Sequence, residues 1–548
     1  MTRTGLALVL MLAATPLAAR TVVIGANGYT LDADGALVRF ATLVVGDDGR
    51  VVAALPAGAA LPAGAALPAD TVVDVHGATV LPGLIDAHGH VMELGYQALA
   101  VDLTDTPSLA AALAKVRAFA AAHPAVRWIV GGGWNQETWR LGRFPTAAEL
   151  DAAVGGRPVY LRRVDGHAGW TNTAGLRAAG VTAATADPAG GRIERGPGGA
   201  PAGVFVDAAK GLIERQLPPP TPAEATAALD TALKLMASVG LTGVADMGID
   251  PATWALYRAF DRDHRLTVRV TAMAGGMAAL HTIAPHGPID WSGDERLSLP
   301  GVKLYADGAL GSRGAWLKAD YHDAPGRGLR FHTDAVLQGW VADAAAHGFQ
   351  VATHAIGDAA NAQVLDAYAQ VPTPTRRRLR LRIEHAQIVD VADLPRFAAL
   401  DVIASMQPTH ATSDKNMAEN RLGAARLAGA YAWRTLIDSG ARFAGGSDFP
   451  VESPNPFFGL YAAVTRQDHA GQPVGGWRPA DRLTPVQAFA AFTIGAAFAA
   501  HAETRVGTLT PGKWADFIVV DHDLFADRPA TIWQTKVSQT WVGGKRVF

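Results

Sequence analysis

The chain has 548 residues and no cysteine. That absence removes disulfide frameworks, thiolate zinc sites and cysteine nucleophiles together. Any metal must then be held by histidine, carboxylate or a modified side chain. Charge is also sparse: charged residues make up 18% of the chain, below the ~25% of an average globular protein. The formal net charge is −2, so electrostatics give no reason to expect a nucleic-acid or other polyanionic partner. No Gly-rich nucleotide loop is present, and no segment approaches the ~20 apolar residues that span a bilayer. What the chain does have is 49% hydrophobic residues, enough for a large core and incompatible with wholesale disorder.

Residues 1–20 read as a secretory signal peptide. Arg3 supplies positive charge, Leu6 to Ala14 an apolar run, and Pro16-Leu17-Ala18-Ala19 a small-residue exit. The alternative is an uncleaved anchor, against which the shortness of the run counts. The expected location is periplasmic or secreted, with no membrane span after cleavage. Residues 21–80 are β-rich, in short β-branched runs such as Thr21-Val22-Val23-Ile24 and Thr71-Val72-Val73. Between them a short Ala-Leu-Pro-Ala-Gly repeat, Ala54 to Ala69, is too brief to bury anything and reads as a surface loop.

From 81 to 500, apolar runs alternate with amphipathic stretches. Candidate strands are Val80–Leu84, Arg127–Val130, Val159–Arg162, Gly243–Ala245, Val268–Ala272, Val302–Tyr305, Gln350–Thr353, Arg380–Glu384, Val402–Ser405 and Arg442–Ala444. Thr221-Pro222-Ala223-Glu224, Thr484-Pro485-Val486-Gln487 and Thr146-Ala147-Ala148-Glu149 carry helix-start signatures. Strands interleaved with helices predict a parallel sheet, and their number favours a closed (β/α)8 TIM-type barrel. Residues 501–548 return to β. The expectation is an α/β protein whose barrel is inserted in a small β-sandwich built from both chain ends. An excursion at about 99–219 is expected to cover the barrel mouth. Its Trp128, Trp134, Trp139 and Trp170 read either as an aromatic lining for an apolar substituent or as simple packing.

The chemistry-bearing signal starts at Asp86-Ala87-His88-Gly89-His90. On a strand, residues i and i+2 share a face, so His88 and His90 can converge on one ion, with Gly89 leaving room for the ligand shell. Taken alone, the pair reads equally well as two loop histidines among the 17 in the chain. Val351-Ala352-Thr353-His354 and Ile383-Glu384-His385 each place one histidine where an apolar run ends, and Ala444-Gly445-Gly446-Ser447-Asp448 does the same with an aspartate. In a (β/α) barrel such strand ends form the catalytic face. Lys303 lies in an apolar strand, with Tyr305 and Asp307 as same-face neighbours, and an inward lysine needs a partner or a lowered pKa.

In order along the chain, this series resembles the amidohydrolase superfamily of metal-dependent hydrolases. The nearer resemblance is to its YtcJ-like branch (amidohydrolase family 3), which includes N-substituted formamide deformylases. Gly133-Trp134-Asn135-Gln136, Val164-Asp165-Gly166-His167, Lys303-Leu304-Tyr305-Ala306-Asp307-Gly308, Gln407-Pro408-Thr409-His410 and Gly512-Lys513-Trp514-Ala515-Asp516 extend the likeness over nearly the whole chain. The resemblance implies one or two divalent ions, zinc by default. His88 and His90 would bind the more buried ion, His354 and His385 the second. Lys303 would be a carbamylated bridging lysine, and Asp448 both a ligand and the proton shuttle. An unmodified Lys303 paired with Asp307, beside a single ion, is the alternative. His167 and His410 would line the pocket and could donate to the substrate carbonyl, or else be ordinary loop or orienting histidines. Asn172, Asp307 and Arg313 are further substrate-binding candidates. The implied activity is hydrolysis of a C–N bond (amide, N-acyl or N-formyl) in a small molecule. An ester or lactone hydrolase using the same site and a catalytically lapsed binding protein are the rival readings. Nothing in the sequence decides between a monomer and a homo-oligomer.

Overall fold

The structure is a computed structural model and describes residues 19–61, 71–104, 106–124, 126–163, 168–188 and 191–548. The leader to Ala18, the end of the Ala-Leu-Pro-Ala-Gly repeat and Val164 to His167 lie outside these residues. The chain divides into two compact units: one runs to His90 and resumes from Leu233 to Phe548, the other is Val91–Ala232.

The first unit contains an eight-stranded parallel sheet in barrel-like order. Its strands are β1 (Leu84–Gly89), β2 (Leu241–Ile249), β3 (Arg269–Gly275), β4 (Leu297–Tyr305), β5 (Gln350–Ala355), β6 (Arg382–His385), β7 (Ile403–Met406) and β8 (Arg442–Gly445). Each pairs with its sequence neighbour. Beyond β8 the circle closes on β1, where the Asp448 amide donates to His88 O (2.7 Å) and the His90 amide to Phe449 O (2.8 Å). The strands are buried on both faces, which is why they read as continuous apolar runs rather than alternating ones. Ala245, Met247, Met273 and Ala352 form one buried layer of side chains. Among the described residues, no helix is long and apolar enough to cross a membrane.

Two further sheets in this unit are built from the chain ends, the first from the N-terminal segment alone and the second from both. One has four strands, including Ala19–Ile24 and Thr71–Asp74; the other has six, with Thr79–Pro82 antiparallel to Phe517–Val520. Val23, Leu43 and Val45 from the first pack with Val80, Phe517, Val519 and Trp541 from the second in one core. The buried Arg269 guanidinium at the start of β3 grips Asp516 through two bonds (2.7 and 2.9 Å), fastening the barrel to the C-terminal strands. The strand expected at Val80–Leu84 is in fact two. Thr79–Pro82 belongs to the terminal sheet, and the barrel begins only at Leu84, after Gly83 breaks the run.

The second unit corrects one expectation. Ile129–Trp134 and Val159–Arg163 are not barrel strands but members of a separate six-stranded mixed sheet. This unit opens with the helix Val91–Ala98 and ends at Ala232, part-way along the helix Pro222–Ser238. Its tryptophans are core. Trp134, Trp139 and Trp170 lie 6.1–6.4 Å apart, edge to face or tilted, with their indole N–H groups satisfied by Leu161 O, Thr106 O and Thr146 O. Trp128 packs with a separate apolar cluster. The capping boxes at Thr146 and Thr484 form, and Thr221 caps with Glu224 in the same way.

Candidate metal centre

The C-terminal ends of the strands bring the expected residues together. His88 lies on β1 and His90 one residue past its end; Lys303 is on β4, His354 on β5, His385 ends β6, and Asp448 follows β8. His88 and His385 rings are 4.7 Å apart by centroid, His354 and His385 4.6 Å, and His88 and His90 5.5 Å. Asp448 Oδ1 sits 3.1 Å from His90 Nε2 and 3.4 Å from His88 Nε2, and its Oδ2 is 3.7 Å from His410 Nε2. Two clusters of side chains of ligand type result, His88–His90–Asp448 and His385–His410–Asp448, sharing the carboxylate. His385 and Asp448 both hold φ near the left-handed region, at 73° and 62°. Such backbone typically costs ~1–3 kcal/mol and clusters at functional sites.

The donor chemistry fits a cation. His354 Nε2 is buried without a hydrogen-bond partner among the described residues, an arrangement costly for a polar atom unless something binds it. Burial, reinforced by Lys303, pushes the His88 imidazole down to about 4 and that of His354 to about 3; His385 is pushed well below its usual range. All three are therefore neutral at pH 7, the form a metal requires. Burial would raise the Asp448 carboxyl, but His88, His90 and His410 outweigh it and hold the group well below the usual carboxylate range.

Hydrogen bonds on the far side of each ring orient it. His385 Nδ1 faces Gln407 Oε1 (2.8 Å), and His88 Nδ1 faces Glu384 Oε2 (2.6 Å), so both rings carry their proton on Nδ1 and present Nε2 to the cluster. At His410 the sense reverses: the Gln387 amide nitrogen donates to Nδ1 (3.0 Å), leaving the ring proton on Nε2. His410, in the first turn of the helix Pro408–Leu422, thus points a donor toward Asp448 rather than a lone pair. Asp86 anchors the opposite wall. Its oxygens accept from the amides of His88 and Ser447 and from Ser447 Oγ, tying Asp448's neighbour to β1.

Lys303 is 1% exposed and its Nζ lies 3.1 Å from His88 Nε2, over the Tyr305 ring. Burial lowers its pKa to about 8, against the pull of Glu384 and Asp448. The Lys303–Asp307 ion pair does not form. Asp307 instead accepts from the backbone amides of Trp316 (2.8 Å), Ile356 (3.0 Å) and Gly357 (2.8 Å), so its carboxylate pins two loops. The other substrate-binding candidates also have structural tasks. Asn172 caps the helix Thr173–Ala178, accepting from Gly175 N and Val159 N and donating to Arg157 O. Arg313 is exposed and paired with Asp323 (3.0 Å). His167 lies outside the described residues. The room at Gly89 is taken by the Phe449 ring, not by a ligand shell: a Cβ there would meet it at 2.5 Å.

Sequence reasoning passed over Glu384, Arg382 and Gln387. The signal for the first two was present, since two opposite charges at i and i+2 in a buried strand must face the same way and pair.

A family model described as the amidohydrolase family matches residues 71–548. The chain belongs to the amidohydrolase family. YtcJ of Bacillus subtilis (strain 168), an amidohydrolase by name, is 33% identical over 487 residues, spanning 87% of this chain and 90% of YtcJ. The N-substituted formamide deformylase of Arthrobacter pascens is 28% identical, over 95% of this chain and 97% of its own. The crystal structure of an uncharacterized metal-dependent hydrolase from Pyrococcus furiosus superposes with a TM-score of 0.76 at 27% identity, covering 92% of this chain and 99% of that one. This amidohydrolase is accordingly a metal-dependent hydrolase on a barrel-like α/β fold.

Proposed function

We propose that this amidohydrolase is exported and hydrolyses the C–N bond of a small amide, an N-acyl or N-formyl amine, using one or two zinc ions. The observation that supports the reading is the convergence of five imidazoles and Asp448 at the strand ends. His88, His90, His354, His385 and Asp448 would hold the metal. A bound divalent ion lowers the pKa of a water and polarises the scissile carbonyl.

Asp448, kept ionised at neutral pH, takes the proton released as water attacks, then returns it to the leaving nitrogen, which departs only when protonated. His410 offers its Nε2–H to the carbonyl oxygen as charge builds there. Lys303 is the residue to carry a carbamate, because burial leaves part of its amine neutral, the form that reacts with CO2. Export rests on the Arg3 and Leu6–Ala14 leader, and the N-acyl and N-formyl class on the similarity to the deformylase.

The test is a screen of N-formyl, N-acyl and aryl-amide compounds, with matched esters, against zinc-loaded protein. Amide turnover that falls steeply in Asp448→Asn is expected. Turnover of esters alone, or none with metal bound, overturns the reading.

A further inference from the structure

The buried wall behind His88 contains an ion pair that the mechanism above does not use. Glu384 is 0% exposed and Arg382 1%. Arg382 Nη2 donates to Glu384 Oε2 (3.0 Å), to Ala87 O (2.6 Å) and to Ser405 Oγ (2.7 Å), while its Nε donates to Glu384 Oε1. One guanidinium therefore joins β6, the residue before His88 on β1, and β7. The carboxylate it holds accepts the His88 Nδ1 proton at 2.6 Å.

Resting on the metal-hydrolase reading, we propose that Glu384, clamped by Arg382, is a positioning residue: it fixes the Nδ1–H tautomer and ring orientation of His88, so that Nε2 is presented to the ion as a lone pair.

Three observations carry this. First, a neutral imidazole has one N–H, and a carboxylate facing Nδ1 at hydrogen-bond distance forces it there. Second, Nε2 already faces a cationic group, Lys303 Nζ at 3.1 Å, which requires that nitrogen to accept. Third, His385 has only a neutral amide, Gln407, in the corresponding place, so His88 is given the stronger orienting acceptor. An isolated buried carboxylate would be prohibitive. Its pairing with Arg382, which makes four donor contacts, removes that penalty and stops the carboxylate from rotating away. Partners behind a ligating histidine typically account for ~10–100-fold in metal affinity.

The experiment is a competition titration of metal-depleted protein with zinc against a chromophoric chelator. It compares wild type with Glu384→Leu, which leaves no acceptor behind Nδ1, and with the charge-free pair Arg382→Met/Glu384→Leu. In parallel, ¹⁵N-resolved NMR of the His88 ring reads the tautomer in the metal-free state. Zinc binding ~10–100-fold weaker in the folded variants, with the Nδ1–H signature lost, is the expected result. Should Glu384→Leu fail to fold because Arg382 is left without a counter-charge, the pair variant is read alone. A folded variant that binds zinc as wild type does, with the Nδ1–H tautomer intact, overturns the assignment. Wild-type protein that takes up no zinc overturns the proposed function instead, and the metal-free tautomer then decides the role of Glu384 by itself.

Discussion

Lys303 Nζ stands 3.1 Å from His88 Nε2, so a lysine amine occupies the direction in which that imidazole would offer a metal its lone pair. The amine has no carboxylate within hydrogen-bond distance among the described residues, and Asp307, the partner foreseen for it, is held by three backbone amides. A carbamate at Lys303 would convert this cation into an anion beside the cluster. Intact-mass analysis of protein kept in bicarbonate should show the added mass of one CO2, absent from Lys303→Arg. That variant should also hold less metal by elemental analysis. Equal mass and equal metal in the two proteins would rule out the modification.

Asp448 is placed to move a proton, with its carboxyl below the usual range and its oxygens between His88, His90 and His410. Asp448→Asn should lower kcat by ~10²-fold or more, the size of general acid–base effects. Steady-state kinetics at matched metal content checks this; an unchanged rate would remove Asp448 from the chemistry.

Acid should strip metal late. A free imidazole titrates near ~6.5, whereas burial brings His88 to about 4 and His354 to about 3. Because these values are lowered, the neutral ligand form persists as pH falls from 6.5, and protons compete with metal only near 4. Dialysis followed by elemental analysis should therefore find metal retained at about pH 5.5, a unit below the free value. Loss between 6 and 7 would contradict the burial argument.

Gly89 separates the two strand-end histidines, and a Cβ there would strike the Phe449 ring at 2.5 Å. Gly89→Ala must push β1 from the closing β8 segment or displace Phe449, at ~1–3 kcal/mol for overpacking. Thermal unfolding should register that cost, and zinc titration a weaker site. A variant with wild-type stability and metal affinity would show that the closure gives way easily.

Arg269 and Asp516 form a two-bond ion pair at 4% and 3% side-chain exposure. Arg269→Met leaves the carboxylate buried and unpaired, which should cost ~3–5 kcal/mol in denaturant unfolding. A loss under ~1 kcal/mol would mean that water reaches Asp516, as at exposed pairs.

Several of these residues were legible before any fold was known. His88 and His90 declare themselves by the period of a strand, and His354, His385 and Asp448 by ending apolar runs, because a parallel strand buried on both faces must be apolar until it reaches the mouth. What other polar residues would meet could not be read from the sequence. Asn172, Asp307 and Arg313 carry polar groups suited to substrate, but whether such a group is free depends on backbone amides and charges far away in sequence. The same limit hid the orientation of His410, which Gln387 sets.

By itself the sequence determined the candidate histidines and aspartate at the strand ends, the absence of thiolate chemistry and the alternation of strand and helix, since each depends on residue type and local spacing. Only the tertiary structure decided that Val91–Ala232 builds its own sheet, that its tryptophans are core, that Arg382 and Glu384 stand behind His88, and that Lys303 meets an imidazole rather than Asp307. Those outcomes depend on strand register and on which buried polar atom finds which partner, a competition settled across hundreds of residues rather than within any short stretch.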